Sequence, residues 1–138
     1  MSLAETKKVL IVDDSKMMRV LLARAVKSDP SFEVAGEADN GQAAIDLLSE
    51  TSIDLVLLDI EMPVMNGVEA LRQIRLKHDI KVIVVSSLAQ VASVQAAEVK
   101  QLGVDGIVDK PGGALDPSLA ATQGQELISL MREVTGLN

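Results

Sequence analysis

With 138 residues, 48% of them hydrophobic and only 1% aromatic, the chain has the length and apolar content of one ordinary domain whose core is filled by Leu, Val, Ile, Ala and Met, Phe32 being its single large ring. A net charge of −7 argues against a nucleic-acid surface, which needs clustered Lys and Arg, and leaves binding to a partner protein open. The lack of Cys excludes disulfide and thiol chemistry, and no apolar run approaches the roughly 20 residues of a membrane span or a signal-peptide core, so a soluble, cytoplasmic protein with no nucleic acid and no membrane among its partners is expected.

Strand-like and helix-like stretches alternate about every 25 residues, the pattern of a parallel sheet whose strands are joined by helices. Lys8 to Val12 reads as the first strand. Ser15 is placed to cap the helix that follows, in which Met18, Leu21, Leu22 and Ala25 recur at i, i+3, i+4 and i+7. Ser28-Asp29-Pro30 ends it, because the residue before proline is pushed out of the helical region. Phe32 to Ala38 is a weaker second strand, after which Asn40-Gly41 turns the chain into a helix carrying Ala44, Ile45 and Leu48. Asp54 to Leu58 and Lys81 to Val85 are almost wholly aliphatic, which places them at the centre of the sheet with both faces covered. Between them, Glu61-Met62-Pro63-Val64-Met65-Asn66-Gly67 is a loop, followed by a helix from Val68 to Leu76. Gln90 to Leu102 is helical in propensity but loosely amphipathic, with Val91, Val94, Ala97 and Gln101 on one face, which marks a movable element. Gly106 to Asp109 is the fifth strand, Gly112 to Pro117 a loop, and Ser118 to Val134 a last helix that buries Leu127, Leu130, Met131 and Val134. One α/β domain over residues 7–135, with tails at 1–6 and 136–138, is expected.

Four strand ends carry chemically active side chains: Asp13-Asp14, Asp59, Ser86 and Lys110. An open parallel sheet binds ligands outside the carboxyl ends of its strands, so these residues are expected to converge there. Three carboxylates in one cleft repel one another and call for a cation. An oxygen-rich set without His or Cys suits Mg²⁺ or Mn²⁺ rather than Zn²⁺. Asp59 then has the character of both a ligand and a carboxylate nucleophile that forms an aspartyl phosphate, with Lys110 and Ser86 binding phosphoryl oxygens. Each residue also has a plainer role available. Asp pairs cap helices and turns, Ser86 is a cap candidate, Lys110-Pro111 suits a surface turn, and His78 a solvated one. It is the joint occurrence at successive strand ends that favours a site.

The chain resembles the receiver domain of two-component response regulators over nearly its full length. The resemblance rests on the acidic pair after strand one, Asp59 followed by Met62-Pro63 and Gly67, Ser86 after strand four, and Lys110-Pro111 after strand five. It implies a flavodoxin-like, doubly wound fold of five parallel strands in the order 2-1-3-4-5 with five helices. It also implies Asp59 as acceptor of phosphate from a sensor histidine kinase, Asp14 as direct Mg²⁺ ligand, Asp13 as a ligand through water, and Glu61 as backbone carbonyl donor. Within that family, Asp59-Ile60-Glu61-Met62-Pro63, Val85-Ser86-Ser87-Leu88 and the Gly-rich stretch after Lys110-Pro111 look most like the receiver of the chemotaxis glutamate methylesterase. The esterase's own catalytic domain would need more residues than are present, and no Gly-x-Ser-x-Gly occurs. The chain therefore reads as a regulatory domain or a stand-alone receiver, and not by itself as an enzyme. Ile107 stands where many receivers carry an aromatic switch residue.

Two functions are open at this stage. One is a signalling switch, with an output domain or target protein on the fourth helix, fifth strand and fifth helix, around Ala92, Gln95, Val99, Ile107 and Gln123. The other is a metal-dependent phosphohydrolase. That chemistry usually places its nucleophile in Asp-x-Asp on the first strand, whereas this strand ends Asp13-Asp14-Ser15 and no cap insertion supplies a substrate pocket.

Overall fold

The computed structural model describes residues 6–60, 62, 64–86, 94–109 and 117–137. Strands β1 (Lys7–Val12), β2 (Phe32–Ala38), β3 (Leu55–Leu58), β4 (Lys81–Ser86) and β5 (Gly106–Asp109) alternate with helices α1 (Lys16–Lys27), α2 (Gly41–Glu50), α3 (Gly67–Lys77), α4 (Val94–Gln101) and α5 (Pro117–Val134). All pairs are parallel and the sheet order is β2-β1-β3-β4-β5, the expected doubly wound arrangement with β3 in the middle.

The aliphatic runs explain the layering. Side chains alternate across a strand. Leu10, Val12, Val56, Leu58, Val82 and Val84 therefore join Ala44, Ile45 and Leu48 of α2 and Leu71 and Ile74 of α3 in one core. Val9, Ile11, Leu55, Leu57, Ile83 and Val85 join Leu22 and Val26 of α1 and Leu127 and Met131 of α5 in the other. Side-chain oxygens cap three helices: Ser15 Oγ accepts from Met18 N (3.2 Å), Asn40 Oδ1 from Ala43 N (2.9 Å) and Asn66 Oδ1 from Glu69 N (3.0 Å). Each such cap stabilises by about 1 kcal/mol.

Two expected helix faces are corrected. In α1 the fully buried stripe is Leu22, Ala23 and Val26, while Met18, Leu21 and Ala25 are only partly covered. The helix is thus rotated toward its C-terminal apolar residues, which meet Phe32 and the sheet. In α4, Ala97 and Gln101 are exposed and Val99 is fully buried, in one cluster with Val84, Leu102, Val104 and Ile107. A β-branched residue outcompetes alanine for the core, so the anchor lies half a turn away from the expected face. Val91 lies outside the described residues.

At the opposite end of the sheet from the strand termini, Arg132 of α5 donates to Asp29 Oδ2 (2.7 Å) and to Ser31 Oγ (3.3 Å). The Ser31 amide, which donates to Asp29 Oδ1 (2.9 Å), and then the Arg132 guanidinium hold the Asp29 carboxyl below its ordinary 3.8, against the opposing effect of desolvation. A depressed folded-state value gives stability that is complete above the ordinary carboxylate range and lost as pH falls through the folded value. Asp29→Asn is accordingly expected to lower stability by about 1 kcal/mol at neutral pH. In urea titrations the gap to wild type should close below pH 3.8; a gap that persists into strong acid would show that the ion pair is not its source.

Candidate functional site

The β1–β3 register brings the acidic residues together. Val12 stands opposite Leu58, so the next residue on each strand, Asp13 and Asp59, leaves the sheet at the same level. The ladder continues past the strands: Asp59 N donates to Val12 O (2.9 Å) and Asp13 N to Ala38 O (3.0 Å). Asp13 and Asp59 are buried, the two such charged residues among those described, whereas Asp14 is exposed. One carboxylate oxygen from each of Asp13, Asp14 and Asp59 lies within 4.8 Å of the others. Three hard oxygen donors at this spacing fit Mg²⁺ or Mn²⁺, which keep several waters and use few protein carboxylates.

The backbone around the acidic pair is held closely. Asp13 Oδ1 accepts from Ser15 N (2.9 Å) and Ser15 caps α1, so Asp13 is the local turn former that a strand-end Asp suggests, as well as a member of the cluster. Arg19, one turn into α1, donates from Nη1 to the Asp13 carbonyl (2.7 Å) and from Nε to Glu37 Oε1 (3.2 Å). This arginine was not singled out from the sequence. A basic residue on an amphipathic helix ordinarily marks its solvent face, and only the folded turn between β1 and α1 reveals the carbonyl it meets.

The loop after Asp59 is fixed by two close approaches. Gly67 N donates to Ile60 O (2.6 Å), and a Cβ on Gly67 would sit 2.0 Å from Asp59 O and 2.6 Å from Ile60 Cα. Gly41 N donates to Met65 O (2.9 Å), and a Cβ there would lie 2.6 Å from that oxygen. The starts of α2 and α3 are thus both tied to the segment that follows Asp59. Val64, 86% exposed, has φ 67°, a left-handed conformation that strains a β-branched residue.

Among the other expected site residues, Ser86 is the last residue of β4, in register with Asp109 of β5. Glu61 and Lys110 lie outside the described residues, as do Ser87 and the Lys110-Pro111 bond. His78 is half-buried and its amide closes α3 by donating to Ile74 O (2.7 Å), away from the acidic cluster in sequence and at the other end of β4.

The family model of the response regulator receiver domain matches residues 9–121, and the chain belongs to that family. It is 37% identical over 126 residues to the protein-glutamate methylesterase/protein-glutamine glutaminase 1 of Syntrophomonas wolfei, and 43% identical over 108 residues to the protein-glutamate methylesterase/protein-glutamine glutaminase of Clostridium acetobutylicum. These matches cover 91% and 78% of this chain but only 36% and 31% of those relatives. Among solved structures, the response regulator domain of Thermotoga maritima CheB superposes with a TM-score of 0.84 at 33% identity, covering 97% of this chain and 99% of that one. A chain from the complex of the P1 domain of CheA3 with CheY6 from R. sphaeroides gives a TM-score of 0.77 at 43% identity, covering 96% and 98%. No helix among the described residues is long and apolar enough to cross a membrane.

The glycine geometry is directly testable. Gly67→Ala forces backbone atoms apart at Asp59 and Ile60 and is expected to cost about 2 kcal/mol or more. Gly124→Ala, in α5 with open space where the Cβ would go, should be neutral or stabilising by about 0.5 to 1 kcal/mol. Chemical denaturation of the two variants should rank them in that order; equal midpoints would mean that the loop yields freely around residue 67.

Proposed function

We propose that residues 7–135 act as a phosphorylation-controlled signalling switch in which Asp59 accepts a phosphoryl group from a sensor histidine kinase, and that the switch regulates a chemotaxis methylesterase. The observation that carries this reading is the convergence of the Asp13, Asp14 and Asp59 oxygens at the ends of adjacent strands in a chain of the receiver family. The likeness to methylesterase receivers supports the finer statement about output, and the CheA3 P1 domain in the similar complex supports a chemotaxis-type kinase.

In this reading Asp14 is a direct ligand of Mg²⁺ or Mn²⁺, Asp13 a ligand through water, and Asp59 and the Glu61 carbonyl complete the protein's share. A bound divalent cation supplies neutralising charge for the carboxylates and for the phosphoryl oxygens. An Asp59 carboxylate oxygen attacks phosphorus, the P–N bond of the donor phosphohistidine breaks, and the bond's electron pair leaves with the imidazole. Burial of Asp59, only 2% exposed, limits the access of competing water. Lys110 contributes a charge-assisted hydrogen bond to the phosphoryl oxygens and Ser86 a hydroxyl. The chain's own chemistry ends at this covalent intermediate; it serves regulation rather than turnover of external phosphate esters.

Phosphorylation adds a charge of about −1.5 to −2 with strong acceptor oxygens, and a hydrogen bond to Ser86 draws on the segment leading into α4. The output surface is then expected on α4, β5 and α5, around Ile107, Gln95 and Gln123, while Ala92 lies outside the described residues. Val99, with no exposed surface, is withdrawn from that surface and becomes an anchor beneath it. With Ile107 in place of an aromatic, the signal is carried by displacement of backbone and helix. In a methylesterase this face would pack against the catalytic domain and block it until phosphorylation loosens the contact.

Asp59→Asn tests the acceptor. The amide is nearly isosteric but a far poorer nucleophile, and it removes one repelling charge. Incubated with acetyl phosphate and Mg²⁺, wild type should gain one phosphoryl group by intact mass and the variant none. Without divalent cations the variant should melt at or above the wild-type temperature, and Mg²⁺ should raise the melting temperature of wild type by linkage. Undiminished labelling of the variant would move the acceptor to another residue.

A further inference from the structure

Arg19 lies on α1, yet its side chain is only 17% exposed and its guanidinium spans three elements. Nη1 donates to the Asp13 carbonyl (2.7 Å), at the turn between β1 and α1, and Nε donates to Glu37 Oε1 (3.2 Å), near the end of β2. The strand geometry explains why a side chain is needed there. The N–H and C=O of one strand residue project to the same side. Asp13 N donates toward β2, to Ala38 O (3.0 Å), so the Asp13 carbonyl also faces the β2 side. β2 ends at Ala38 and the chain turns at Asn40 into α2, so β2 offers no further amide on that side. Arg19 donates to this carbonyl from α1 instead.

The Asp13 carbonyl belongs to the peptide plane that carries Asp14 N. Fixing that oxygen fixes the plane that holds Asp14 N and Cα, and so restrains, with φ of Asp14 the remaining freedom, the direction in which its side chain leaves the backbone. Asp13 has its own restraints, through its amide and through Oδ1 on Ser15 N (2.9 Å). Asp14 is exposed, and its carboxylate must stay near those of Asp13 and Asp59, which repel it. A backbone held in one orientation lowers the cost of keeping it there.

We propose that Arg19 is a positioning residue for divalent-cation binding: by clamping the Asp13 carbonyl, with Glu37 steadying its guanidinium, it aims Asp14 at the carboxylate cluster. This deepens the metal reading given above and rests on it. Glu37 is 46% exposed, so it orients the arginine only weakly, and its loss should act in the same direction to a smaller extent.

The test is Mn²⁺ binding to the unphosphorylated chain, followed by electron paramagnetic resonance, for wild type, Arg19→Gln, Arg19→Lys and Glu37→Gln. Removing a group that orients a ligand commonly weakens metal affinity about tenfold, and that is the expectation for Arg19→Gln. Arg19→Lys, whose ammonium reaches the carbonyl without the fork to Glu37, should fall between Gln and wild type. The Mg²⁺ concentration for half-maximal labelling by acetyl phosphate should rise by the same factor, with a smaller change in the plateau rate. Arg19→Gln and Arg19→Lys both binding Mn²⁺ like wild type would overturn the proposal, even if Arg19→Gln melts earlier in metal-free buffer, because that pattern is purely structural. If Arg19→Gln does not fold, the Lys variant and Glu37→Gln decide by the same measure. Failure of wild type itself to bind Mn²⁺ would overturn the metal reading first, and this proposal with it.

Discussion

Three carboxylates with oxygens within 4.8 Å of one another repel by about 3 to 4 kcal/mol per pair at an effective dielectric of about 20. Against a total stability of roughly 5 to 15 kcal/mol for a domain, that repulsion would scatter the group if it sat on mobile loops. It is held by backbone register instead. Asp59 and Asp13 each donate an amide hydrogen bond into the neighbouring chain segment, to Val12 O and Ala38 O. Behind them stand four-residue runs, Val9 to Val12 and Leu55 to Leu58, with no exposed surface at all. The hydrophobic energy of the central strands is what allows the cluster to persist, and the mutual repulsion of its carboxylates is what a bound cation would lower.

The same economy of position governs the loop beyond Asp59. Gly67 and Gly41 let backbone approach backbone where any side chain would collide, so α2 and α3 both begin against the segment that follows Asp59. Asn40 and Asn66 cap those helices one residue earlier, so the Asn-Gly pairs each serve as cap and close contact together. Val64, left-handed and exposed between these fixed points, takes up the strain that a tightly braced loop leaves over.

Much of this was legible in the chain before the structure. Continuous aliphatic strands admit only a sheet covered on both faces, and active side chains at successive strand ends then fall on one edge. The five strands and the meeting of Asp13, Asp14 and Asp59 follow from that logic, whereas the order of the strands was implied by the resemblance to the receiver family. What was misread shares one cause. In α1 and α4, apolar residues are too plentiful or too few for the periodicity to choose a face, and packing chose Val26 over Met18 and Val99 over Ala97. Arg19 was illegible for a different reason: its partner is a main-chain oxygen, which a sequence does not distinguish from any other. The roles of Ser86 and Lys110 rest on their chemistry at strand ends and that of Glu61 on family resemblance, since Glu61 and Lys110 lie outside the described residues and Ser86 is placed only by its position in β4.

The correction at Val99 changes how movement of α4 must be pictured. Arg75 of α3 donates to Ile80 O (2.6 Å), Gly103 O (3.0 Å) and Asp105 Oδ2 (2.8 Å), and Asp105 Oδ2 also accepts from Val82 N (2.8 Å). Together with buried Val99, these contacts fasten the C-terminal end of α4 and the entry to β5 onto α3 and β4. The Arg72–Glu98 pair (3.3 Å) adds a link between the same helices, but it is exposed on both sides and contributes little. In the proposed switch, a pull that starts at Ser86 would reach α4 from its other end. Fastened at its C-terminus and loosely amphipathic along its length, the helix is suited to pivot about Val99 rather than to slide. A pivot would move the start of the helix, at Val94, most, so that is where the switch proposed above would displace α4 furthest.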